Sequence, residues 1–138
     1  MDVLTKQQRH LNMTNIKGHD TKPELYVRKF LFANGFRYRV YDKRYPGKPD
    51  IVLPKYKTVI FVNGCFWHKH EGCKYFVWPK TNQKFWKDKI EANVERDHKN
   101  YVELEVQGWK VIVVWECEVK TIEKREARLN KLVDEIRK

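Results

Sequence analysis

The sequence has no apolar run near the ~18 residues that a membrane-spanning helix requires. Its first residues, Met1-Asp2-Val3-Leu4-Thr5-Lys6, form no apolar signal segment. A soluble, cytoplasmic chain is expected. Cysteine is scarce and odd in number, three in all. In a compartment that keeps thiols reduced, this argues against a disulfide framework and for metal ligation. Acidic residues are in deficit, 18 against 29 Lys and Arg, giving a net charge of +11 and a pI near 9.6. So positive a surface seeks a polyanion, nucleic acid before a membrane. At 138 residues the chain is expected to be one domain with a real core. Aromatic residues are plentiful, 14% with five Trp. They suit stacking on bases, with core filling as the plainer reading for two or three of the Trp.

Taken in order, residues 1–20 are polar and basic, a helix or a partly ordered arm. Met13 and Ile16 stand three apart and offer one apolar edge to a partner; a flexible extension is the alternative. Thr21-Lys22-Pro23-Glu24 reads as a capping box opening a helix, with Glu24 as the box acid. That helix carries Leu25, Phe30 and Leu31 and stops at Asn34-Gly35. The alternation in Phe36-Arg37-Tyr38-Arg39-Val40 predicts a strand with one face inward. After the turn Tyr45-Pro46-Gly47-Lys48-Pro49, Asp50 opens a strand that Pro54 ends, and Thr58–Val62 predicts a strand buried on both faces. So short a link makes a hairpin, which carries Asp50 to the far end of the second strand beside Val62. A carboxylate there has to be solvated, paired or bound to metal.

Thr81 is expected to cap a helix over about residues 83–107, ended by Gly108. Ile90, Val94, Asp97, Tyr101 and Leu104 share its inward face, which makes Asp97 more than a solubilising acid. A strand over 109–115 and a last helix striped by Ile122, Leu129, Leu132, Val133 and Ile136 complete an α/β chain. Strand, helix, strand is a parallel crossover whose two strands end at one sheet edge, so Cys117 is expected close to Cys65.

Everything else is organised around Phe61-Val62-Asn63-Gly64-Cys65-Phe66-Trp67-His68-Lys69-His70-Glu71-Gly72-Cys73. Cys65, His70, Cys73 and Cys117 make a closed Cys3His set suited to structural Zn²⁺; ordinary buried cysteines are the alternative. On spacing alone His68 can replace His70. The free histidine then sits at the carboxyl edge of a sheet, where α/β folds bind ligands. With Asp50, Asp97 and Glu24 near it, the inferred chemistry is phosphodiester hydrolysis. Asp50 binds Mg²⁺ and His68 takes a proton from the attacking water.

The stretches 47–52, 59–68, 85–86, 93–97 and 113–117 resemble the very-short-patch-repair (Vsr) DNA mismatch endonucleases, and the Gly-Cys-Phe-Trp-His block is the most specific part. The resemblance runs in order over roughly residues 5–120. It implies a restriction-endonuclease-like mixed central sheet flanked by helices, with one structural zinc in an endonuclease domain at 21–138 and a DNA-contacting arm at 1–20. It implies Mg²⁺-dependent nicking of duplex DNA 5′ of the thymine in T:G mismatches left by 5-methylcytosine deamination. By position, Asp50 and the Val62 carbonyl resemble the Mg²⁺ ligands, His68 the base oriented by Asp97, and Glu24 an acid holding metal water. Phe66, Trp67 and Trp86 resemble a wedge entering the duplex, Met13 and Ile16 its counterpart from the other groove, and Lys89 and Asn93 the readers of the mismatched pair. Asn63 departs from a histidine of the best-known members, and the superfamily's acid-x-lysine is missing after the second strand. A monomer in functional linkage with a cytosine-5 DNA methyltransferase and mismatch-repair proteins is implied. Two rivals remain: a zinc-stabilised DNA-binding module, which needs neither Asp50 nor His68, and a nuclease without mismatch preference, which needs no wedge.

Overall fold

Two apolar runs, Ile51-Val52-Leu53 and Val59-Ile60-Phe61-Val62, are too short to be helices and too uniform to face water. In the computed structural model, which describes residues 21–138, they lie at the centre of a four-stranded sheet. The elements run α1 (Lys22–Ala33), β1 (Arg39–Val40), β2 (Ile51–Leu53), a 3-10 turn (Pro54–Tyr56) and β3 (Thr58–Asn63). They continue with α2 (Gln83–Val106), β4 (Lys110–Trp115), a second 3-10 turn (Glu116–Val119) and α3 (Ile122–Arg137). Strand order is β1-β2-β3-β4. The first two pairings are antiparallel and β3–β4 is parallel, as the hairpin and the crossover require.

Alternate residues of each strand feed two cores. Ile51, Leu53, Ile60, Ile112 and Val114 pack with Val27 and Leu31 of α1 and with Leu129, Leu132, Val133 and Ile136 of α3. Val52, Val59 and Phe61 face the other way, onto Leu104 of α2 with Tyr101 and Trp109. The sheet is covered on both sides, which is why its central strands read as unbroken apolar runs. Among the described residues no helix is long and apolar enough to cross a membrane.

Helix ends follow the chain's glycines. Gly35 (φ 87°) ends α1: Phe36 N donates to Leu31 O at 3.0 Å and Gly35 N to Phe32 O at 3.1 Å. Gly108 (φ 91°) ends α2 alike, with Trp109 N to Leu104 O at 3.0 Å and Gly108 N to Glu105 O at 3.0 Å. Both are Schellman closures, and each tucks the aromatic that follows against the helix's last core residue.

Several expectations are corrected. Thr21 makes no side-chain cap hydrogen bond, so the capping box does not close. Glu24 turns inward and is buried instead. Leu25 and Ile122 are exposed, and Val27 takes the core position on α1. The N-cap of α2 falls on Asn82, in the left-handed region, not on Thr81. The strand expected over residues 36–40 shrinks to two exposed residues, because the Schellman closure draws Phe36 into the core and onto Tyr56, centroids 5.3 Å apart.

Gly47 fixes the approach of the turn at residues 45–49 to α2. Its φ is +77°, and a Cβ there would meet Asn100 Nδ2 at 3.0 Å. Gly47→Ala is expected to destabilise by at least about 1–2 kcal/mol from backbone strain alone. Urea unfolding checks it; unchanged stability would mean that the turn is free of α2.

Candidate active site and metal centre

Asp50 immediately precedes β2, and the antiparallel register lays it across from the end of β3. Val62 N donates to Asp50 Oδ2 at 2.7 Å. One carboxylate oxygen is thus held by backbone while the group faces a cleft of about 460 Å³ also lined by Glu24, Val62, Asn63, His68 and Asp97. Burial, with the Glu24 carboxylate adding to it, pushes the Asp50 carboxyl up to about 7, against the opposing pull of Val62 N–H, His68 and Arg28. Asp50 and Glu24, two of the three carboxylates lining this part-buried cleft, fit a hard divalent cation through their donor chemistry.

The elevated Asp50 pKa has a consequence for stability. Between about pH 4 and 7 the folded protein keeps a proton on Asp50 that the unfolded chain has released. Folded stability therefore falls as pH rises through that window, by at most about 1.4 kcal/mol per pH unit. Melting curves at pH 5 and pH 8 should show this slope, Asp50→Asn should remove it, and a cation binding the ionised form should offset it. A wild-type slope equal to that of Asp50→Asn would refute the assignment.

His68 lies in the turn after β3, where its N–H donates to Gly64 O at 3.2 Å. Its Nδ1 is 2.5 Å from Asp97 Oδ2 on α2. A carboxylate only accepts, so it fixes the ring proton on Nδ1 and leaves a lone pair on Nε2.

The thiols gather behind this cleft. Parallel pairing runs to Asn63↔Trp115, so Cys65 and Cys117 each stand two residues past the last matched pair. One ligand atom from each of Cys65, His70, Cys73 and Cys117 lies within 4.8 Å of all the others. Tetrahedral Zn²⁺ with sulfur at ~2.3 Å sets ligand atoms about 3.8 Å apart, so the set fits after a small contraction. The loop is closed by His70 N to Cys65 O at 2.9 Å and Cys73 N to His70 O at 3.2 Å. His70 Nδ1 sits 3.4 Å from Cys117 Sγ, and its ring stacks on Trp115 at 4.1 Å. Burial, with crowding by Cys65 and Cys73, pushes the Cys117 thiol up to about 12; a cation among the sulfurs would reverse that. Of the two histidines that spacing leaves open, the structure brings His70 into this cluster and turns His68 to Asp97.

Beside His68 the rings of Phe66, Trp67 and Trp86 pack edge-on or tilted, with centroids 5.3–5.8 Å apart. Trp67 stays 47% exposed and the adjoining Phe85 58%, so the cluster is an apolar face open to solvent. Asn93 Nδ2 donates to Trp67 O at 3.2 Å, while Asn93 Oδ1 accepts from Arg96; Lys89 is exposed on the same helix. Met13 and Ile16 lie outside the described residues.

The family model of the DNA mismatch endonuclease Vsr matches residues 1–74. The chain is 57% identical over 136 residues to the Type II nicking enzyme V.NmeAIP of Neisseria meningitidis serogroup A, covering 99% of this chain and 96% of that one. It is 42% identical over 133 residues to the Type II nicking enzyme V.XorIIP of Xanthomonas oryzae pv. oryzae, covering 96% and 97%. To the DNA mismatch endonuclease Vsr of Escherichia coli K12 it is 43% identical over 123 residues, covering 89% and 78%.

The chain belongs to the Vsr DNA mismatch endonuclease family. A Vsr-family endonuclease acts on DNA, which accounts for the +11 charge. Around its cleft, two groups stand that sequence reasoning did not assign. Tyr41 and Arg28 both hydrogen-bond the Glu24 carboxylate. Tyr41 lies 17 residues from Glu24, so no local pattern pairs them. Asn63 Nδ2 donates to the Tyr101 hydroxyl at 2.8 Å, across 38 residues. Burial raises the Tyr101 phenol to about 12, so it stays neutral. The helical stripe that marks Asp97 also contains Tyr101, and that spacing was its one available signal.

Proposed function

We propose that the protein nicks duplex DNA 5′ of the thymine in T:G mismatches left by deamination of 5-methylcytosine, initiating very short patch repair. One observation carries the reading: Phe66, Trp67 and His68 are consecutive, so one turn bears both an exposed aromatic face and the cleft imidazole. Ring insertion and presentation of a phosphate to His68 are then a single event. Unstacking a step costs a few kcal/mol, and a mismatch, already poorly stacked, lowers that cost relative to paired DNA. Phe66, Trp67 and Trp86 act as the wedge, Met13 and Ile16 enter from the other groove, and Lys89 and Asn93 read the mismatched pair.

His68 Nε2 takes the proton of the attacking water while Asp97 stabilises the imidazolium that forms. Asp50 and the Val62 carbonyl would hold Mg²⁺, with Glu24 at its flank, and an ion bound there would supply neutralisation of the charge that develops on the scissile phosphate. Cys65, His70, Cys73 and Cys117 hold structural Zn²⁺, which pins the turn bearing the rings and His68. The mixed sheet covered on both faces supports a restriction-endonuclease-like domain at 21–138, preceded by a DNA-contacting arm at 1–20. One asymmetric lesion suits a cytoplasmic monomer linked functionally to a cytosine-5 DNA methyltransferase and mismatch-repair proteins.

The test is nicking of labelled duplexes carrying one T:G mismatch in varied contexts, beside matched T:A and C:G controls, with Mg²⁺. Cutting confined to the thymine strand of the mismatch is expected. Equal cutting of matched DNA would favour a nuclease without mismatch preference, and tight binding without cutting a binding module.

A further inference from the structure

Asn63 is 4% exposed and lines the same cleft as Asp50 and His68. A buried carboxamide can face a cleft through its oxygen or its nitrogen, and the two are opposite in charge. Here Nδ2 is engaged by the Tyr101 hydroxyl at 2.8 Å. One of the two amide protons is thereby taken, and Oδ1 is the acceptor that the held carboxamide offers to a water in the cleft. With a cation held by Asp50 in the cleft that it shares with Glu24 and Asn63, an acceptor would be stabilised where an amide donor would face the cation. Tyr101 is itself immobilised, its ring tilted on Phe61 with centroids 4.9 Å apart. It stands one helical turn after Asp97, the residue that holds His68. One face of α2 therefore fixes two cleft groups: Asp97 orients the imidazole and Tyr101 the carboxamide.

We infer that Tyr101 is a positioning residue for the nicking reaction, locking the Asn63 carboxamide so that Oδ1 accepts a hydrogen bond from the water whose other proton goes to His68. Two acceptors on one water fix the direction of its remaining lone pairs, the orientation that in-line attack needs. The inference rests on His68 acting as base, as in the proposed function.

Tyr101→Phe removes the hydroxyl and keeps the ring on Phe61. It is expected to lower the single-turnover nicking rate on the T:G duplex roughly tenfold, with KM for DNA within about twofold and melting little changed. Asn63→Ala should lose at least as much, and the double variant should lose no more than Asn63→Ala, because the two act as one unit. A second readout needs no catalysis. The Asn63 side-chain NH2 resonances of ¹⁵N-labelled protein should show one slowly exchanging proton in wild type and two fast ones in Tyr101→Phe. Wild-type rates in Tyr101→Phe, losses that multiply in the double variant, or unchanged NH2 resonances would each overturn the inference. If wild-type protein leaves the T:G duplex intact, the substrate reading fails by itself, and the same variants are compared on the duplex it does nick.

Discussion

His68→Ala is expected to lower nicking by roughly 10²–10⁴-fold, the range for losing a positioned general base, and Asp50→Asn by at least as much, because it removes the carboxylate proposed to hold Mg²⁺. Stability separates the two. Asn keeps the shape of the Asp50 side chain and removes a carboxylate whose ionisation the fold opposes, so the Asp50 variant should melt no lower than wild type at pH 8. His68→Ala leaves the Asp97 carboxylate without its ring partner and should melt slightly lower. Because both act on one bond, the double variant should be little slower than the worse single one. Burst-free single-turnover rates and melting curves check all three, and near wild-type nicking by either variant would remove that residue from the reaction.

The second large effect concerns the thiol cluster. Structural zinc in small fingers contributes about 10–16 kcal/mol and decides whether they fold. Here two cores built on the sheet stand apart from the cluster, so the loss is expected to be regional. Cys117→Ser should reduce bound zinc from one per chain to a small fraction, lower the melting temperature markedly, and abolish nicking although Asp50 and Asp97 are untouched. Hydrogen exchange should show loss of protection concentrated in residues 64–78, with β2 and β3 still protected. A zinc-free wild type of unchanged stability would sink the assignment, and global unfolding of Cys117→Ser would show that the cluster holds the sheet together as well as the turn.

How much of this was legible in the chain differs by kind of feature. The hairpin, the crossover and the meeting of Cys65 with Cys117 follow from strand length, link length and the rule that parallel strands end at one edge, and the structure has all three. The pairing of Asp50 with the end of β3 follows from the same reasoning. The errors lie where local pattern competes with tertiary contact. Thr21 and Glu24 have the spacing of a capping box, but Glu24 goes instead to Arg28 and Tyr41, a choice made by a residue 17 positions away. Residues 36–40 alternate as a strand should, yet the turn that closes α1 takes Phe36 for the core. The stripe of α2 marks Tyr101 as inward-facing, but nothing in either segment pairs it with Asn63, 38 residues away.

The place of Cys117, two residues beyond the last matched pair of parallel strands, has an evolutionary consequence. Deleting one residue of β4 would withdraw this sulfur by about 3.3 Å and turn Ile112 and Val114 from one sheet face to the other. Metal affinity and core burial would fail together. The cluster thus reports whether β3 and β4 are in phase, and length changes between residues 58 and 117 can survive only where the chain leaves both sheet and cluster, in the stretch between Cys73 and the start of α2.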